Sequence, residues 1–177
     1  MLGIREYRMI YDMLDKVSPL PYDCGSLCGS ICCRDIPEQE ELYIYLLPGE
    51  KEFLEEEGST LVIEKQSTGE HYLPVSWGRY VYIAHCPGPE GCERGLRPIQ
   101  CRTFPLEPHM TNDGILRLIY NDVCLPYSCP IIMDRMELSD DFIECTYEAW
   151  NRLIRDDAIK DMVIMDSKNR KNCQIIR

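Results

Sequence analysis

Apolar residues recur over residues 4–17 with the period of a helix. Ile10, Met13, Leu14 and Val17 fall at i, i+3, i+4 and i+7, and Tyr7 extends the same face. Pro19 and Pro21 end that segment. The pattern then shortens into β-rich runs. "ELYIYLL" (41–47) leads through Pro48 and Gly49 into a short polar helix, "EKEFLEEE" (50–57), with Gly58 placed to close it. The glutamates at 55–57 read as a solvated face without chemistry. "TLVIEK" (60–65) and "RYVYIA" (79–84) read as strands, and "HYLPV" (71–75) as a weaker one because Pro74 cannot donate to a ladder. "TFPLEPH" (103–109) and "ILRLIYN" (115–121) flank "TNDG", whose Asp-Gly pair predicts a turn between two strands. Ser139 is a candidate cap for a helix running to about Arg155, with Phe142, Ile143, Trp150, Leu153 and Ile154 on its apolar side. Residues 139–177 as a whole read as a C-terminal helical segment. There is no regular βαβ alternation and no long repeat. The pattern predicts one α+β domain over residues 1–177, with an antiparallel sheet, flanking helices and cysteine-rich loops.

Composition narrows the partners. The chain has 177 residues, 45% hydrophobic and 28% charged, with 30 acidic against 19 basic residues and a formal net charge of -11. A surface that acidic repels phosphate backbones and anionic headgroups, so neither nucleic acid nor a membrane is expected as a partner. The N-terminal stretch is charged throughout, and no window approaches the ~18 apolar residues that span a bilayer. These features predict a cytoplasmic protein.

That expectation decides how to read 11 cysteines. In a reducing compartment, dense cysteine patterns bind metal or carry catalysis rather than pair as disulfides. The odd count also excludes a fully paired framework. Buried cysteines acting as small hydrophobes explain scattered residues, but not the four between positions 24 and 33. The cysteines gather in three loops: Cys24, Cys28, Cys32 and Cys33; Cys86, Cys92 and Cys101; Cys124 and Cys129. Cys145 and Cys173 lie in the tail and read as free thiols. Gly25, Ser26, Gly29 and Ser30 remove bulk, so backbone N–H groups can approach bound sulfur. The glycines disfavour a lasting helix there, although a single turn is possible. Cys32 and Cys33 are adjacent, and neighbouring side chains tend to point apart. Two centres, or a polynuclear one, therefore fit more easily than one ion. Zinc in a closed thiolate site and an iron–sulfur cluster both suit such a set. The spacing is neither a ferredoxin pattern nor the triad of radical S-adenosylmethionine enzymes.

Arginines accompany these loops. Arg34 follows Cys33, Arg94 lies two after Cys92, and Arg97 and Arg102 bracket Cys101, while no lysine occurs between Lys65 and Lys160. Such arginines can donate to sulfur or to loop carbonyls. "GLRPIQCRTFPLEP" (95–108), placed after a loop ending in adjacent cysteines, resembles the YkgJ-type cysteine-cluster family, described as zinc- or iron-chelating. The matching positions are Cys24, Cys28, Cys32, Cys33, Arg97, Pro98, Cys101, Arg102, Phe104 and Pro105. Cys86, Cys92 and one or both of Cys124 and Cys129 resemble the family's intervening and trailing cysteines. The likeness covers roughly residues 20–130 and implies a metal or iron–sulfur centre held by these cysteines, with Arg97 and Arg102 beside it. One branch of the family resembles flagellin lysine methylase, but this chain has no glycine-rich G-x-G-x-x-G loop after a strand.

His85 adjoins Cys86 and can enter a mixed shell, although a loop histidine is the plainer reading. His109 can hydrogen-bond near the centre, His71 reads as a strand residue, and the tyrosines read as sheet packing. The leading expectation is a metal-cluster protein holding an iron–sulfur centre, of the 4Fe–4S kind before others. Its role would be electron transfer, or a metal-dependent module working with a protein partner. The alternatives are an S-adenosylmethionine-linked protein-modifying enzyme and a zinc-stabilised interaction domain. No residue is singled out as catalytic.

Overall fold

The computed structural model describes residues 2–34, 43–122, 125–170 and 174–177. The chain runs α1 (Ile4–Leu14), α2 (Gly25–Cys28), β1 (Tyr43–Leu46), α3 (Glu50–Glu56), β2 (Ile63–Ser67), β3 (Tyr80–His85) and α4 (Gly88–Gly91). It continues with α5 (Ile99–Thr103), β4 (Leu106–Met110), β5 (Leu116–Tyr120), α6 (Pro130–Met133), α7 (Asp140–Leu153) and α8 (Asp157–Asn169). The α+β class is as the sequence pattern predicts. The antiparallel strands form two sheets rather than one: β1-β3-β2, and a separate β4-β5 hairpin.

The periodic helices form where expected because each has a face to bury. Tyr7, Ile10, Tyr11 and Leu14 of α1 are buried, as are Phe142, Ala149, Trp150 and Leu153 of α7, and the two helices pack together. The first helix ends at Leu14, before the predicted limit, and Val17 packs on the core from outside it. Ser139 occupies the cap position of α7, but its side chain makes no capping bond; its carbonyl accepts Ile143 N at 3.1 Å instead. A second tail helix, α8, is capped by Asp156, whose carboxylate accepts from Ala158 N and Ile159 N, and it packs on β4.

The strands differ more. β2 starts at Ile63 and runs to Ser67, because its limits follow its pairing with β3, from Ile63 opposite Ala84 to Ser67 opposite Tyr80. "HYLPV" forms no strand; Val75–Trp77 is a 3₁₀ turn entered through Pro74. Residues 41 and 42 of the first predicted strand lie outside the described residues. Gly58 follows α3 at φ 77°, the left-handed closure expected of it. Among the described residues no helix is long and apolar enough to cross a membrane.

Candidate metal centre

Four pieces of chain carry cysteines to one place. The first begins at Cys24 and makes a single helical turn, α2. Gly29 (φ 64°) and Ser30 (φ 59°) then take consecutive left-handed conformations, a reversal costly for the serine. Ser30 N donates to Gly25 O at 3.0 Å, and a 3₁₀ turn over Ile31–Cys33 follows. The reversal returns Cys32 and Cys33 toward Cys24 and Cys28. Arg34 Nε donates to Gly29 O across the bend.

The second piece leaves the end of β3, so Cys86 stands one residue beyond His85. Cys86 Sγ lies 3.8 Å from Cys33 O. A Cβ added at Gly88 would lie 3.7 Å from the same carbonyl. Cys101 sits on α5, a helical turn rather than the irregular loop the sequence suggests. Glu50 anchors that turn. Its carboxylate has no exposed surface and accepts Ile99 N and Tyr11 OH, each at 2.7 Å, and Leu47 N at 2.8 Å. Sequence reasoning missed Glu50, hidden as one more acidic residue of α3. Cys129, buried, forms the N-terminal cap position of α6 and supplies the last sulfur.

Two adjoining cavities result. The first, of about 130 Å³, is lined by Cys24, Cys28, Cys32, Cys33, Cys92 and Cys129. The second, of about 160 Å³, is lined by Cys32, Cys33, Cys86, Cys92 and Cys101. Cys32, Cys33, Cys92 and Arg97 belong to both. Eight of the nine cysteines predicted for the site are thus brought together; Cys124 lies outside the described residues. Cys145, on α7, lines neither cavity. Cys173 also falls outside the described residues. All described cysteines are free thiols.

Electrostatic neighbours sort the eight sulfurs further. Cys24 feels Cys28 and Cys129, and Cys32 feels Cys24 and Cys28 first and then Cys101. Cys101 feels Cys33, Cys86 and Cys92. The two groups meet at Cys32 and Cys33, whose sulfurs are 3.8 Å apart rather than turned away from each other. Cys33 is pushed up to about 11, first by its bond to Cys32, and the same bond lowers Cys32. Burial drives the Cys101 thiol far above its ordinary range, with Arg97 pulling it back. Burial and Asp23 raise Cys24. These directions belong to thiols without a cation; a coordinating thiol is deprotonated outright.

The arginines divide the two roles foreseen for them. Arg97 Nε donates to Cys92 Sγ at 3.4 Å, a direct contact with sulfur. Arg102 instead faces α1. Its guanidinium donates to the carbonyls of Arg94, Gly95 and Arg97, lies 4.6 Å from the Tyr11 ring centre and reaches Asp15 at 3.5 Å. It braces the loop rather than the sulfurs.

Of the histidines, only His85 lines a thiol cavity, the second, beside Cys86. His85 Nε2 meets Glu64 at 3.1 Å, His71 Nδ1 meets Tyr45 OH at 3.0 Å, and His109 is on β4. Tyr127, expected as sheet packing, lines the second cavity, where burial and nearby sulfurs raise its phenol. Among the described residues no three His, Cys, Asp or Glu side chains are grouped as a single metal ion requires. No protein-family model, curated protein or solved structure matches this chain.

Proposed function

We propose that the chain is a metal-cluster protein whose thiols hold two iron–sulfur centres. Cys24, Cys28, Cys32 and Cys129 would hold one, and Cys33, Cys86, Cys92 and Cys101 the other. The observation that carries this reading is the gathering of eight thiols around two adjoining cavities, one lined by six of them and the other by five, with Cys32, Cys33 and Cys92 common to both. Four thiolates are the ligand complement of a 4Fe–4S cluster. The donors are all sulfur, which suits iron–sulfur clusters and zinc and disfavours magnesium or calcium. Cavity size favours the cluster. A closed zinc site has metal–sulfur distances of about 2.3 Å and leaves no void, whereas a single water needs only about 10–15 Å³ of such volume. The resemblance to YkgJ-type proteins points the same way.

When bound, such clusters supply one-electron redox chemistry. The chain's own residues hold and tune the site. Arg97 offers a hydrogen bond to sulfur, which stabilises added negative charge. Gly29 and Ser30 fold the first loop onto the site. Electron transfer with a protein partner is the role this arrangement supports, and the charge of -11 favours a partner with a basic face. Free thiols at this density suit the reducing cytoplasm.

Zinc is the second reading, favoured by one distance. Metal–sulfur bonds of about 2.3 Å in a tetrahedron separate the sulfurs by about 3.8 Å, the separation of Cys32 and Cys33. Metal and acid-labile sulfide analysis of protein purified without oxygen decides between them. About eight irons and eight sulfides per chain are expected for two 4Fe–4S clusters. Zinc without sulfide overturns the cluster reading, and metal-free protein overturns both.

A further inference from the structure

A third cavity, of about 570 Å³, lies between β1, α5, β4 and α8, within the range of about 300–1,000 Å³ typical of small-molecule sites. No described cysteine lines it, yet it shares a wall with both thiol cavities. Phe104 lines it and the first; Tyr43, Ile44, Leu125 and Tyr127 line it and the second. The Phe104 and Tyr127 rings meet edge-on, with centroids 6.4 Å apart. An occupant would thus be separated from each proposed centre by a single layer of side chains.

The lining selects the occupant. Its walls are largely aromatic and apolar, with Tyr43, Tyr45, Phe104, Leu106 and Trp150 among them. Two hydroxyls on the lining make no hydrogen bond among the described residues: that of Thr103, which is 1% exposed, and that of Tyr127. Unpartnered donors in such surroundings suit a ligand that brings acceptors. Among the described residues the single cation on the lining, Arg170, is already engaged, donating to Asp122, to Pro108 O and to Glu107. A phosphate or carboxylate would therefore be buried without a counter-ion. That disfavours flavin nucleotides and nicotinamide dinucleotides. What suits the cavity is a flat, uncharged ring carrying acceptor oxygens.

We propose that this cavity binds a quinone, which takes one electron from each of the two clusters across the wall that contains Phe104 and Tyr127. The proposal rests on the two-cluster reading and names its electron acceptor. Two reduced clusters lose one electron each. The quinone takes those two electrons, with two protons from solvent, and becomes the hydroquinone. A one-electron donor protein then returns both clusters to the reduced state. Two centres thus match the two electrons that the change requires. Solvent reaches the cavity at Tyr72, which lines it and is 73% exposed.

Titration calorimetry and anaerobic kinetics on the intact, metal-loaded protein test this with tetramethyl-p-benzoquinone, whose fully substituted ring resists addition of thiols. The oxidised protein should bind one quinone per chain with a Kd below about 0.1 mM, and flavin mononucleotide should give no heat. Protein reduced with dithionite and freed of the excess should form one hydroquinone per chain as both clusters reoxidise. Leu73→Trp adds bulk at a half-buried position on the lining. It should weaken binding, and slow reoxidation by the quinone, at least about tenfold. Hexacyanoferrate, an anionic oxidant that this lining does not admit, should reoxidise the variant and the parent at the same rate. Thr103→Val keeps the shape and loses the hydroxyl, so the quinone should bind about threefold to tenfold more weakly, with iron content and melting temperature unchanged. Absence of heat from the quinone, tighter binding of flavin mononucleotide, or unaltered quinone affinity in both variants overturns the proposal. So does reoxidation of Leu73→Trp by the quinone at the parent rate, which would make the quinone a surface oxidant. Failure of the cluster reading shows instead in the iron and sulfide content, and the binding titration needs no electron transfer, so the two failures are distinct.

Discussion

Glu50, fully buried, and Glu107, half-buried, are two glutamates resolved in different ways. Burial raises the Glu50 carboxyl, but N–H donors from Ile99 and Leu47 and the Tyr11 hydroxyl oppose it. Glu107 is pushed up to about 7, first by burial, with Arg170 pulling down and Asp122 and Asp166 pushing up. Its ordinary value is 4.5. Between those values the folded chain keeps a proton that the unfolded chain has released. Stability therefore falls as pH rises from 4.5 to about 7, by about 3 kcal/mol at most. Asp166 is raised too and acts in the same direction, while His109 is lowered by burial and opposes them. Urea unfolding at pH 5 and pH 7.5 checks this, with Glu107→Gln flattening the difference. Comparing the two proteins cancels the pH dependence of the thiols, and an equal slope in both removes Glu107 as the cause. At this scale the sequence was partly legible. Cysteine spacing marked the sulfurs, but nothing in "EKEFLEEE" separates a fully buried Glu50 from an exposed Glu57, because the difference lies in which backbone amides approach from other elements.

Elements were legible where burial is periodic. The helix stripes at Ile10 and Leu14 and at Phe142, Trp150 and Leu153 face one core, so local pattern and tertiary packing agree. β2 was displaced and 71–75 misread because strand limits are set by a partner strand, which short apolar runs do not encode. The single turn at 25–28 had been allowed for, against the glycines; the helical turn holding Cys101 had not. That turn depends on distant groups: Glu50 accepts from its start, and Arg102 near its end reaches Tyr11 and Asp15. Arg102 donates to three loop carbonyls and stacks on Tyr11, and its side chain is only 5% exposed. Lysine keeps the charge but loses the planar fork, so it cannot serve all three carbonyls. Arg102→Lys should lower stability by about 1–3 kcal/mol and increase proteolysis between residues 92 and 101, with the metal-to-protein ratio nearly unchanged. Metal loss with no change in melting temperature would mean that Arg102 acts on the sulfurs directly.

For the whole molecule, the meeting of three cysteine loops followed from the sequence, but the two adjoining cavities that they line did not. Cys32 and Cys33 line both cavities, yet Cys32 feels Cys24 and Cys28 ahead of Cys101, while Cys33 is hydrogen-bonded to Cys86 as well as to Cys32. That assignment depends on where β3, α5 and α6 end, which only the assembled fold specifies. It also makes a quantitative difference. If the sets are separate centres, removing one thiol opens one closed shell and leaves the other intact. Cys28→Ser and Cys92→Ser should then each retain about half of the bound metal and sulfide, the first by opening one centre and the second by opening the other. Cys145→Ser, on α7 and away from both cavities, should retain all of it. The double variant Cys28→Ser/Cys92→Ser should lose nearly all metal. Because metal binding to organised loops is also folding free energy, the two single variants should expose different segments to protease: residues 24–33 in one and 86–101 in the other. Complete metal loss from either single variant would join the eight thiols into one centre, with Cys32 and Cys33 serving the same metal across their 3.8 Å contact.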